Sequence, residues 1–141
     1  QEMSRGLGDV YKRQTAEDAL ALHASAHVRM AAQRGSVKMT YTSISTNRPG
    51  ARFQEAKTQA EVEALMVEVW SVVTANGGES VFAGADLARG VNVSLTTYPD
   101  AASAAKSIVE LTAKQLIEFE SSGQFMALDE WLPVAGSAME G

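Results

Sequence analysis

The chain has 141 residues, one domain's worth of polypeptide, and its 45% hydrophobic content is enough to build a core without staples. It has no cysteine, which excludes disulfides and thiolate metal sites and makes a reducing cytoplasm the expected compartment. With a net charge of −5 it offers no basic face for phosphates, and no apolar run approaches the ~18 residues of a membrane span. Neither nucleic acid nor a membrane is therefore an expected partner.

The opening QEMSRGLGDVYKRQ is neither a secretory signal nor apolar enough to span a bilayer. Its DVYKRQ, Asp9 to Gln14, is one reading frame of GAT GTG TAT AAG AGA CAG, the end of a transposase adaptor used in preparing sequencing libraries. Residues 1–14 are accordingly read as an adaptor scar rather than native sequence. They carry three basic and two acidic residues, so the remainder stands at −6.

Residues 15–35 are rich in Ala and Leu, with Leu20, His23, His27, Met30 and Ala31 at three- and four-residue spacing before Gly35. That pattern predicts an N-terminal helix with a glycine cap. It follows the same plan as the segment from Asp100 onward: an Asp-led helix, a glycine stop and a strand. This allows residues 15–47 to be the tail of an earlier repeat. SVKMTYTSIS alternates and predicts a strand over 36–45, with turn residues Asn47, Pro49 and Gly50 after it. Thr58-Gln59-Ala60-Glu61 has the spacing of a capping box. The apolar stripe Val62, Leu65, Met66, Val69, Trp70 and Val73 then predicts a helix ended by Asn76-Gly77-Gly78.

SVFAGAD and GVNVSLTTY read as an antiparallel hairpin through Leu87-Ala88-Arg89-Gly90. Asp100 is placed to cap a helix running through Ala105, Ile108, Thr112, Leu116 and Phe119 to Ser121-Ser122-Gly123. QFMALDEWLPV supplies a last strand ended by Pro133, and residues 135–141 are left as a tail.

From residue 36 to 134 the order is strand, helix, strand, strand, helix, strand. This is the ferredoxin-like βαββαβ arrangement, an α+β fold with a four-stranded antiparallel sheet and two helices on one face, here with the extra N-terminal helix. The other sheet face should be open and polar. Lys38, Thr40, Thr42, Asn92, Ser94, Thr96 and Tyr98 are expected on it, joined by Asp129 and Trp131 or their neighbours.

The run NGGESVFAGAD…GVNVSLTTYPDAASAAK resembles the second half of dimeric α/β-barrel proteins of the GYD-domain and antibiotic-biosynthesis-monooxygenase-like groups. Gly90-Val91-Asn92 stands where the GYD group carries Gly-Tyr-Asp. The resemblance covers 36–134 and implies a homo-oligomer in which two sheets pack face to face around a cavity. Such cavities serve oxygenases, isomerases, haem-degrading enzymes and proteins without activity, so the fold does not choose a reaction.

Few residues carry chemistry. His23 and His27 form an i,i+4 pair that could hold zinc, copper or haem iron, or could simply be packed histidines. The carboxylates of Asp129-Glu130 and of Glu118 and Glu120 diverge at their strand and helix spacings, which speaks against paired acid–base work. Arg48 and Arg52 flank Pro49-Gly50 and could clamp an anion, or could be solvated loop residues. Trp70 is most simply core. Asn92, Tyr98 and Trp131, with Asp129, Lys38 and Thr40, could line a pocket for a planar molecule or form the dimer contact. No P-loop, dinucleotide fingerprint, nucleophile elbow or zinc-protease motif is present, and no cofactor is called for.

Three readings follow. The first is a non-catalytic dimeric module that binds a small apolar or aromatic molecule on the open sheet face. The second is a cofactor-independent oxygenase or isomerase acting on an aromatic molecule, which requires a titratable group buried beside the pocket. The third is a metal- or haem-binding protein using His23 and His27.

Overall fold

Short local signals set most of the element boundaries in the computed structural model, which describes residues 37–141. The first strand, β1, runs Tyr41–Pro49. A short helix α1, Ala51–Glu55, and a long helix α2, Gln59–Ala75, lead to the hairpin of β2, Glu79–Asp86, and β3, Val91–Tyr98. Helix α3, Ala101–Ala113, strand β4, Ile117–Gln124, and helix α4, Leu128–Glu140, complete the chain. The strands form one antiparallel sheet in the order β2-β3-β1-β4, which is the expected ferredoxin-like α+β arrangement. The expected helix over 15–35 lies outside the described residues, as do His23 and His27. No helix among the described residues is long and apolar enough to cross a membrane.

The caps behave as their side chains dictate. Thr58 Oγ1 accepts from the Glu61 amide at 3.2 Å, while the Glu61 carboxylate reaches back to the Lys57 amide at 2.8 Å. Two orphan donors at the start of α2 are thereby satisfied. At its other end Gly77 takes φ +75°, which lets the Gly78 amide return to Val73 O at 2.9 Å. Asp100 caps α3 by accepting from the Ser103 amide at 2.7 Å, and that contact with Ser103 holds its carboxyl below the ordinary value.

The core lies between the sheet and helices α2 and α3. Phe53 and Leu116 are fully withdrawn from water, and Met66, Val69 and Val73 of α2 and Leu111 of α3 pack into the same cluster. A large side chain buried in this way contributes roughly 1.5–3 kcal/mol. Arg52 ties α1 to α2 through a two-pronged ion pair with Glu68, at 2.9 and 2.8 Å.

Three stretches depart from the sequence expectation. The first strand begins at Tyr41 rather than 36, and Asn47 and Pro49 belong to it instead of to a turn. Helix α3 ends at Ala113, and Gln115, at φ +57°, turns the chain directly into β4. Ile117 and Phe119 then point under the helices, because the segment follows a two-residue period. Finally, the expected strand over 124–134 is absent beyond Gln124, which closes β4: Ala127 O accepts from the Glu130 and Trp131 amides at 3.0 and 2.9 Å and starts α4, which contains Pro133 and takes up most of the expected tail. No residue of α4 is buried.

Candidate functional site

The register of β1 on β3 sets polar side chains opposite one another. Ser43 faces Thr96, Ser45 faces Ser94, and Asn47 faces Asn92. Because side chains alternate along a strand, these three pairs share one face of the sheet. That face is the one under the helices. With Tyr98 they line a cavity of about 80 Å³ whose opposite wall is Met66, Trp70 and Val73 of α2 and Ala104, Ser107 and Leu111 of α3. Its two walls therefore differ in chemistry, hydroxyls and amides on the sheet and mostly apolar groups on the helices. Ala83 and Gly84 of β2 also line it, and residues 81–85 are exposed, so the helix layer leaves this edge uncovered.

The polar wall has spare hydrogen-bonding capacity. The Asn47 amide nitrogen donates to Ser45 Oγ at 3.0 Å and to Ser94 Oγ at 3.4 Å. Each serine hydroxyl accepts one of these bonds and keeps its own proton for another acceptor. Among the described residues neither proton is used, and the Asn92 side chain has no hydrogen-bond partner. Ser107 is 1% exposed and its Oγ has none either. A buried polar group without a partner costs about 1–3 kcal/mol, so Ser107 Oγ, the buried group on this wall left without one among the described residues, marks a place where a bound molecule would gain a hydrogen bond.

Among the described residues Tyr98 is the only acid or base on the wall. Burial raises its phenol above the ordinary value; the neighbouring Ser107 hydroxyl opposes this, though its geometry falls short of a hydrogen bond. Tyr98 is therefore a neutral phenol at physiological pH. Its ring is held by Gly78, where a Cβ would lie 2.6 Å from Tyr98 Cε1 and 2.7 Å from Val73 Cγ1.

On the other face of the sheet, Arg48 and Arg89 converge on Glu120, the Arg48 pair at 3.0 Å, and Thr46 donates to the same carboxylate at 3.2 Å. Desolvation pushes Glu120 upward, but the hydrogen bonds from Thr46 and Arg48 and the charge of Arg89 outweigh it and hold the carboxyl below its ordinary value. Val91 and Leu95 point to this face and are nevertheless buried, so at β3 it is not the open surface expected.

Of the expected ligand residues, the structure brings Asn92 and Tyr98 together in the cavity, on the covered face rather than the open one. Thr40 instead donates to Pro99 O at 2.6 Å, and Lys38 is exposed ahead of β1. Asp129 and Trp131 are exposed on α4 because their segment is helical, so neither joins the sheet. Arg48 and Arg52 pair with different carboxylates, Glu120 and Glu68, and form no shared clamp. Ser43, Ser45, Asn47 and Ser107 were not expected in the site. Their signal was the alternation Ser-x-Ser-x-Asn at 43–47, which matches Asn-x-Ser-x-Thr at 92–96. No group of three or more His, Cys, Asp or Glu among the described residues could hold a metal. Compared with protein-family models, curated proteins and solved structures, the chain has no match.

Proposed function

We propose that this protein is a non-catalytic binding module whose site is the cavity between the sheet and helices α2 and α3. The observation that carries the reading is the set of partnerless hydroxyl and amide groups on that cavity's wall, Ser107 Oγ among them. Binding is favoured over acid–base catalysis because the wall presents no carboxylate, imidazole or amine among the described residues, and its one titratable group is held neutral. A ligand would exchange its water contacts for these hydroxyls while its apolar part meets Met66, Val73 and Leu111.

Homo-oligomerisation through the exposed β2 part of the other sheet face belongs to the same proposal. It is supported by Phe82, opposite Leu95 on that face and 47% exposed. Native mass spectrometry of the full chain, purified gently from cell extract, tests both parts. A dimer carrying a small-molecule adduct is expected, and Ser94→Leu, which fills the cavity, should lose the adduct but keep the dimer. A protein that carries no adduct in either form would contradict the binding reading, and a monomer the oligomeric one.

A further inference from the structure

We propose that the cavity takes a small, uncharged carboxamide, held through its carbonyl oxygen by serine hydroxyls and through its N–H by Asn92. The inference rests on the binding reading above and narrows it to a ligand class.

Size comes first. At about 80 Å³ the cavity is roughly half the ~150 Å³ engineered cavity known to take benzene, so a whole aromatic ring does not fit within it and would have to project past the uncovered β2 edge. A molecule with on the order of four or five non-hydrogen atoms fits this limit.

Charge comes second. No Lys, Arg or His among the described residues lines the cavity, so a carboxylate or phosphate would be desolvated without a counter-ion. An unpaired ion in such a place is penalised by several kcal/mol. An ammonium ion fails for the same reason, since the wall presents no carboxylate among the described residues.

Hydrogen-bond polarity comes third. Asn47 uses its amide nitrogen on Ser45 and Ser94, which occupies one lone pair of each hydroxyl and leaves each proton free to donate. Ser107, fully buried and without a partner, and the protonated Tyr98 phenol add further donors. A neutral carbonyl oxygen, with two lone pairs, can accept from two of these donors, as a water oxygen also can. Asn92 supplies the complementary half, because its free side-chain amide both accepts and donates. The carboxamide group carries both functions in three heavy atoms, leaving a short alkyl end for the apolar wall.

Trp70 lines the cavity and Trp131 does not, so the full chain carrying Trp131→Phe reports binding through Trp70 fluorescence alone. The probes are acetamide, acetate, methylammonium and xenon, titrated separately. Acetamide is expected to give a saturable change, with acetate and methylammonium at least ten-fold weaker. Ser94→Ala and Ser107→Ala, each removing one hydroxyl with little change of shape, should weaken acetamide at least five-fold while leaving the thermal unfolding cooperative. Xenon binding without acetamide binding would overturn the carboxamide assignment and leave a ligand cavity standing. Acetate binding as well as acetamide would overturn the requirement for a neutral ligand. No response to any probe would overturn the binding reading along with the ligand class.

Discussion

Asn47 stands directly opposite Asn92 across β1 and β3, and both side chains turn into the cavity under the helices. The two amides are nonetheless used differently: Asn47 bonds to Ser45 and Ser94, whereas Asn92 has no side-chain partner among the described residues. Asn47→Ala strands two serine hydroxyls and should destabilise the fold by about 1–3 kcal/mol. Asn92→Ala should change stability by less than about 1 kcal/mol and act on ligand binding instead. Urea midpoints at unchanged slope check the pair, and equal losses would contradict the division of roles.

Gly78 sets the backbone directly against the Tyr98 ring. An added methyl would press on the Tyr98 ring and on Val73, including its carbonyl oxygen at 2.9 Å, and backbone cannot yield as a flexible side chain can. Gly78→Ala should therefore lower stability by about 1–3 kcal/mol and shift Tyr98 in the cavity. The ring resonances of Tyr98 report the shift. A variant as stable as the parent, with those resonances unmoved, would contradict the packing described.

The Arg52–Glu68 pair gives a pH signature. The Arg52 hydrogen bonds hold the Glu68 carboxyl below its ordinary value, against desolvation, which raises it. A carboxyl depressed in the folded state adds stability above its unfolded pKa of about 4.3, and loses that contribution as the pH falls through the lower folded value. Glu68→Gln should therefore be less stable than the parent at pH 7, and the gap should close progressively below about pH 4. The pair is partly solvated, with side chains 38% and 35% exposed, so 1 M salt should narrow the gap at pH 7. A gap that widens in acid would reverse the sign of the argument.

Signals carried by a few neighbouring residues were legible in the sequence. Thr58 with Glu61, Asp100, and Asn76-Gly77-Gly78 each act within five residues of chain, and each cap forms as read. The hairpin and strand order followed from these anchors. Strand β4 did not, because Leu116 and Phe119 fit the helical spacing of Ile108 and Thr112 as well as a strand. What ended the helix was the turn at Gln115, a residue with no strong turn signature of its own. The site was half legible for a related reason. A strand with polar alternate residues is ordinarily read with those residues toward water, which placed Asn92 to Tyr98 on the open face. The fold instead turns them under the helices, Asn92, Ser94 and Thr96 half-buried and Tyr98 buried, opposite a second polar alternation in β1.

Pro133 bears on the same misreading. Sitting inside α4, it removes a backbone donor that a helix would otherwise use. Pro133→Ala should raise the helical circular dichroism signal and leave the cavity's response to acetamide unchanged. A rise in strand signal, or no change, would contradict a helix over Leu128–Glu140.

The account turns on which face of the sheet receives a ligand. The most direct measurement is a series of amide correlation spectra of the full ¹⁵N-labelled chain, titrated with acetamide and then with xenon. The account predicts shifts concentrated at Ser43, Ser45, Asn92, Ser94 and Ser107, around the cavity wall. Shifts confined to Ile44, Thr46 and Val93 on the opposite face, or no shifts with either probe, would contradict it.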